Sequence, residues 1–118
     1  MSTREVKFRV YDKLNKRWYT WDEIKTGIMH FLWRFPHQYI PVQYTGRKDK
    51  NDNEIYEMHI VKGMIIDSGE RIVGEVVWDE QYTGYEIDYG SGLIAIWELT
   101  DIEVIGSSCE NPELLKEC

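Results

Sequence analysis

Short segments with strict two-residue alternation, separated by Gly, Asn and Asp corners, run through this chain and dictate a β architecture. In Glu5-Val6-Lys7-Phe8-Arg9-Val10-Tyr11, residues Val6, Phe8 and Val10 fall on one face, and Glu5, Lys7 and Arg9 on the other. A period of two carried by β-branched and aromatic side chains marks a half-buried strand. Turn chemistry in Asp12-Lys13-Leu14-Asn15-Lys16 then makes Arg17-Trp18-Tyr19-Thr20-Trp21 the returning arm of a hairpin. Asp22 is placed to cap a single helical turn that Gly27 would end. Residues 28–35 form a dense apolar run read as a buried strand, and Pro36 and Pro41 bracket an irregular stretch.

The second half repeats the theme. Residues 58–66 read as one or two short strands split near Gly63, and residues 71–78 as a strand with Gly74 as a bulge. Tyr85-Glu86-Ile87-Asp88-Tyr89 alternates, Gly90-Ser91-Gly92 punctuates, and Ile102-Glu103-Val104-Ile105 closes the series. Asn111 and Pro112 then start a short terminal helix. Short strands at this spacing with Gly-rich corners suit a small open barrel. The loop Arg47-Lys48-Asp49-Lys50-Asn51-Asp52-Asn53 is too polar to enter a core, and reads as a solvated hairpin tip.

Composition narrows the class. At 118 residues the chain is one folding unit, or two small lobes sharing an interface. No apolar run approaches the ~20 residues that cross a bilayer, and the first residues lack the apolar core of a secretory signal. Residence inside the cell, with no membrane partner, is expected. Cys109 and Cys118 both sit in the final ten residues, which favours two free thiols. The net charge of −7 is unevenly spread: residues 1–59 carry 11 Lys or Arg against 8 Asp or Glu, and residues 60–118 carry 3 against 13. An acidic C-terminal half repels phosphate backbones.

Three blocks carry a family resemblance. They are Val6-Lys7-Phe8-Arg9-Val10-Tyr11-Asp12-Lys13, the segment Gln43-Tyr44-Thr45-Gly46-Arg47-Lys48-Asp49-Lys50-Asn51-Asp52-Asn53-Glu54-Ile55-Tyr56-Glu57, and Ile102-Glu103-Val104-Ile105-Gly106 followed by Glu110-Asn111-Pro112-Glu113-Leu114-Leu115. In this order, and across almost the whole chain, they resemble the YopX family of bacteriophage and prophage proteins, whose function is unknown. The resemblance implies a mainly β fold of two parts. Residues 1–53 would form an N-terminal lobe of irregular coiled sheets, and residues 54–118 an SH3-like barrel with a short C-terminal helix. It also implies phage or prophage origin and a bacterial cytoplasm. One departure stands out: Met58-His59 occupies the place where the family typically has Gly-Asp. A glycine there permits a backbone angle that methionine adopts with difficulty.

No arrangement suggests catalysis, a metal or a cofactor. His30, His37 and His59 are scattered and none has the i, i+4 spacing of a metal-binding helix. Glu86 and Asp88, two apart on a strand, are expected to face solvent together. Gly90-Ser91-Gly92 is no nucleophile elbow, and the glycines at 84, 90 and 92 make no phosphate loop. The most suggestive feature is the crowding of Trp78, Tyr82, Tyr85, Tyr89 and Trp97. An SH3-like barrel can present such aromatics as a groove for proline-rich peptides, with Asp79, Glu80 and Glu86 selecting basic ones; the alternative is that they are core.

The reading that follows is a non-catalytic interaction protein that binds a host or phage protein. One alternative is nucleic-acid binding, less favoured, through the N-terminal lobe with Trp18, Trp21 and Trp33. A second is an acidic mimic of DNA. Pairing of the oppositely charged lobes between subunits would give a homo-oligomer, and pairing within one chain would not.

Overall fold

The computed structural model describes residues 6–25 and 34–117. The described residues are mainly β, more than half of them in strands. Four strands, β1 (Phe8–Asp12), β2 (Arg17–Tyr19), β3 (Tyr39–Lys48) and β4 (Glu54–Tyr56), form an antiparallel sheet in the order β2-β1-β3-β4. The β1–β2 corner is organised by Asp12, which is fully buried. Its carboxylate accepts from the Leu14 and Asn15 backbone N–H groups and from the side-chain amides of Asn15 and Gln38. Burial alone would raise its pKa, but these four donors outweigh it and hold the pKa below the ordinary value.

Two local expectations are corrected here. The helical turn α1 (Trp21–Glu23) is capped by Thr20 rather than Asp22. Thr20 Oγ1 accepts the Glu23 N–H at 3.3 Å, and the Glu23 carboxylate accepts the Thr20 N–H at 3.1 Å. This reciprocal box satisfies two donors, which Asp22, two residues later and inside the turn, would not. Pro41 lies within β3, opposite Val10, rather than in an irregular stretch. Backbone bonds from Tyr44 N–H to Lys7 and from Lys13 N–H to Gln38 place the bonded pairs at odd-numbered residues of β1. Val10 and Pro41 therefore form a non-hydrogen-bonded pair. On the other side β4 begins pairing only at Tyr44, so no strand there requires the missing N–H. The expected strand at residues 28–35 and the stop at Gly27 lie outside the described residues, apart from Arg34 and Phe35.

The second sheet contains β5 (His59–Ile65), β6 (Arg71–Asp79), β7 (Gly84–Asp88), β8 (Leu93–Ala95) and β9 (Leu99–Ser107), in the order β8-β7-β6-β5-β9. A four-strand meander thus curls until β9 closes against β5, with a 3-10 turn at Ile96–Glu98 before the closing strand. That order makes the C-terminal part an SH3-like half-barrel. A 3-10 helix, Pro112–Glu117, ends the described chain, with the Leu114 N–H bonded to the Asn111 carbonyl. Among the described residues no helix is long and apolar enough to cross a membrane.

The barrel encloses Ile55, Val61, Ile72, Val76, Tyr85, Ile87, Ile96 and Leu99. Gly74 is not a bulge, because its pairing to β5 and β7 runs without a register shift. A Cβ at Gly74 would lie 2.5 Å from the Asp88 carbonyl oxygen, so the glycine admits a close strand approach. Smaller clusters form around Val10 and Ile24, and around Val42, Tyr44 and Tyr56.

The two sheets are joined through the β3–β4 hairpin. Ile55 on β4 belongs to the barrel core although its strand pairs with β3. The division expected at residue 53 falls inside this hairpin. Its tip is solvated as expected at Arg47, Lys48 and Lys50 through Asn53, but is docked at Asp49, which is 7% exposed. The Asp49 carboxylate accepts from the Asn51 and Asn53 N–H groups and, across the molecule, from the Val104 N–H at 2.9 Å. The Lys50 N–H bonds to the Ile102 carbonyl, and its ammonium pairs with Asp101 and Glu103 of β9. Polarity did not keep Asp49 out, because both of its carboxylate oxygens accept hydrogen bonds.

Candidate functional site

Trp78 ends β6, Tyr85 lies opposite it on β7, and their rings meet edge to face with centroids 5.0 Å apart. The β6–β7 turn brings Tyr82 alongside, and the 3-10 turn brings Trp97, whose indole N–H donates to the Tyr82 hydroxyl at 2.8 Å. These four side chains, with Ile96, line one cleft of about 380 Å³. Tyr85 is buried and forms its floor, while Trp78, Tyr82 and Trp97 are 39%, 44% and 56% exposed. Three exposed aromatics around one hollow form a contiguous apolar patch of the kind that marks interaction sites. The fifth expected member, Tyr89, is elsewhere: it packs on the barrel core and lines a separate cleft with Arg71, Asp88 and Leu115. Thr45 and Arg47 from β3 complete the wall. The sequence reading did not include them, because they come from the other sheet.

Acidic residues neighbour the cleft's aromatics in sequence without lining it, and one, Glu86, is placed unexpectedly. Glu86 was expected to face solvent with Asp88, but it is 9% exposed whereas Asp88 is exposed. The reason lies at Gly84. A Cβ there would sit 2.9 Å from the Tyr82 ring, and Gly84 and Glu86 share one face of β7, so Tyr82 folds over that face. Glu86 Oε1 is left without a hydrogen-bond partner. Hydrogen bonding to Asp79, aided by burial and by the charges of Asp79 and Glu98, pushes the Glu86 pKa up, while the same bond lowers that of Asp79. The neutral form is thus favoured at Glu86 and the charged form at Asp79. The Asp79 carboxylate also accepts the Gln81 and Tyr82 N–H groups, which shapes the turn.

The departure at Met58-His59 is resolved at the sheet junction. Met58 adopts φ +68, so the left-handed angle is kept without glycine, contrary to expectation. Its N–H bonds to the Val76 carbonyl, and its carbonyl accepts the Ser108 N–H at 2.8 Å. Both bonds tie the turn to the barrel and hold the strained angle. His59 is 8% exposed, and its Nδ1 accepts the Tyr56 N–H at 3.0 Å. Burial first, and then the nearby Arg9 charge, push its pKa down to about 4 against the pull of Asp49 and Glu110.

The other candidate residues are dispersed. Trp18 donates its indole N–H to Glu110 at 2.6 Å and stacks under Arg9; Trp33 and His30 lie outside the described residues. Of the basic loop, Lys48 pairs with Asp52 and Lys50 with Asp101 and Glu103. Through Lys50, opposite charges of the two halves meet within one chain, and Lys62 and Arg71 of the second half pair with the same Glu103 and Asp101. Among the described residues no three His, Cys, Asp or Glu side chains are grouped to hold a metal ion. Cys109 is free and half-buried, and burial raises its thiol pKa.

Comparison with known proteins agrees with this architecture. No curated protein matches the chain. A crystal structure of protein EF1440 from Enterococcus faecalis superposes with a TM-score of 0.67 over 96% of this chain and 99% of that one, at 22% identity, and so shares the fold. The model of the YopX protein family matches residues 32–116, well over half of the sequence and including the docked hairpin, the barrel and the aromatic cleft. The chain belongs to the YopX protein family.

Proposed function

We propose that this protein is a non-catalytic interaction module, a phage or prophage accessory factor of the bacterial cytoplasm. Its barrel cleft would dock a proline-containing, basic peptide segment of a host or phage protein. The observation that carries this reading is the exposure of Trp78, Tyr82 and Trp97 around one hollow, with Tyr85 as its floor. Stacked, amphipathic aromatics suit a polyproline II ligand, whose extended form costs little entropy to bind. Asp79, Glu80 and Glu98, next to Trp78 and Trp97 in the chain, would supply complementary charge beside the cleft and offset Arg47 in its wall. SH3-like architecture supports the reading by analogy only. Membership of the YopX family supports the phage setting.

The test is calorimetric titration of synthetic peptides against the intact chain. Arg-containing proline-rich peptides should bind at micromolar affinity, weaken with salt, and lose about tenfold or more on Trp97→Ala or Tyr82→Ala. Equal binding to both variants, or no binding by any such peptide, would refute it.

A further inference from the structure

We infer that a second cavity, between the two sheets, is a binding site for a small-molecule oxyanion, a carboxylate or a phosphate ester. This cavity of about 610 Å³ is lined by Arg9, Trp21, Asn53, Tyr56 and His59, among others. It is independent of the aromatic cleft and lies within the usual size range of small-ligand sites.

The donors are what define it. Arg9 projects from β1 and its guanidinium lies over the rings of Trp18 and Tyr56, 4.5 and 5.2 Å from their centroids. Among the described residues it makes no ion pair and no side-chain hydrogen bond, so its fork of N–H donors is held by stacking and remains open. A stacked guanidinium is pre-organised for bidentate capture of a carboxylate or phosphate. His59 supplies the second donor. Its Nδ1 is occupied as acceptor by the Tyr56 N–H, so the neutral imidazole carries its proton on Nε2. That N–H has no partner among the described residues, and it opens onto the cavity that the side chain lines rather than being sealed from solvent. Both groups approach the Tyr56 ring, the imidazole edge to face at 5.9 Å.

The acidic residues around the cavity do not oppose this. Asp22 pairs with Lys25, Asp52 with Lys48, and Glu54 with Lys7. Among the described residues Arg9 has no carboxylate partner. The cavity exceeds the size of a bare anion, so the ligand carries a body that packs against Trp21.

The experiment is a side-chain nitrogen NMR titration of the full chain at low salt with phenyl phosphate, benzoate and inorganic phosphate as probes. Saturable shifts of the His59 Nε2 and Arg9 Nε signals by phenyl phosphate or benzoate are expected, with the tighter of the two identifying the anion. Arg9→Gln should weaken binding about tenfold or more. Arg9→Lys, which keeps charge and fold but not the fork, should weaken it as well. No saturable shift with either aromatic probe, or unchanged affinity in a folded Arg9 variant, would overturn the assignment. Tighter binding of inorganic phosphate than of either aromatic probe would also overturn it.

Discussion

The Asp49 carboxylate accepts the Val104 backbone N–H at 2.9 Å, 55 residues away in sequence, and thereby pins the hairpin of one sheet to the closing strand of the other. The same carboxylate closes its own turn through Asn51 and Asn53. Burial pushes its pKa up, but these N–H donors outweigh it and hold it below the ordinary range.

Asp49→Asn keeps the shape but turns one oxygen into a donor, which must then face a backbone N–H. The expected loss is about 2 kcal/mol of unfolding free energy in urea. Exchange protection at Val104 should fall more than at Val76. A loss within experimental error would mean that the hairpin tip is held by other groups.

His59 sets an acid limit. Its folded pKa of about 4 lies below the ordinary value of 6.5, so the unfolded chain binds the extra proton first. Stability from this residue is complete above pH ~6.5, declines as pH falls, and is fully lost near pH ~4. The amount is roughly 3 kcal/mol at most. Asp12 and Asp49, with lowered pKa values, add losses of the same sign at lower pH. Thermal melts of His59→Gln should show a flatter slope over that window than the parent.

Met58 separates backbone strain from packing. Its side chain touches the cluster of Val42, Tyr44 and Tyr56 at φ +68. Met58→Gly relieves the strain and loses the contact, so its stability should stay within about 1 kcal/mol of the parent. Met58→Ala loses the contact alone and should fall lower, and Met58→Val should fall lowest. Chemical denaturation gives the order directly.

Glu86→Gln makes permanent the neutral form that the site favours. A carboxyl with a raised folded pKa loses stability as pH rises through that pKa, because the unfolded chain ionises first. The variant should therefore melt higher than the parent at pH 7, with the gain vanishing in acid. A lower Tm at pH 7 would contradict the raised pKa of Glu86.

What the sequence made legible was local. Alternation located β1, β2 and β7, and five aromatics were named as a group, of which Trp78, Tyr82, Tyr85 and Trp97 meet in one cleft. What it hid depended on partners distant in the chain. An aspartate in a turn looks the same whether its tip is solvated or docked, so the bond of Asp49 to Val104 had no local sign. Glu86 carries the alternation of a solvent-facing residue, and only the fold of Tyr82 over Gly84 buries it. Pro41 is acceptable in β3 because of its bonding parity with β1, which no single segment reveals. Arg9 and His59 come from different sheets and meet only at Tyr56.

The aromatic cleft as a peptide site is tested most directly by indole N–H shifts during titration with an Arg-containing proline-rich peptide. The account predicts that the Trp78 and Trp97 signals move saturably and together, while Trp18, bonded to Glu110, stays in place. Movement of Trp18 with Trp78 and Trp97 unmoved, or no movement at all, would contradict it.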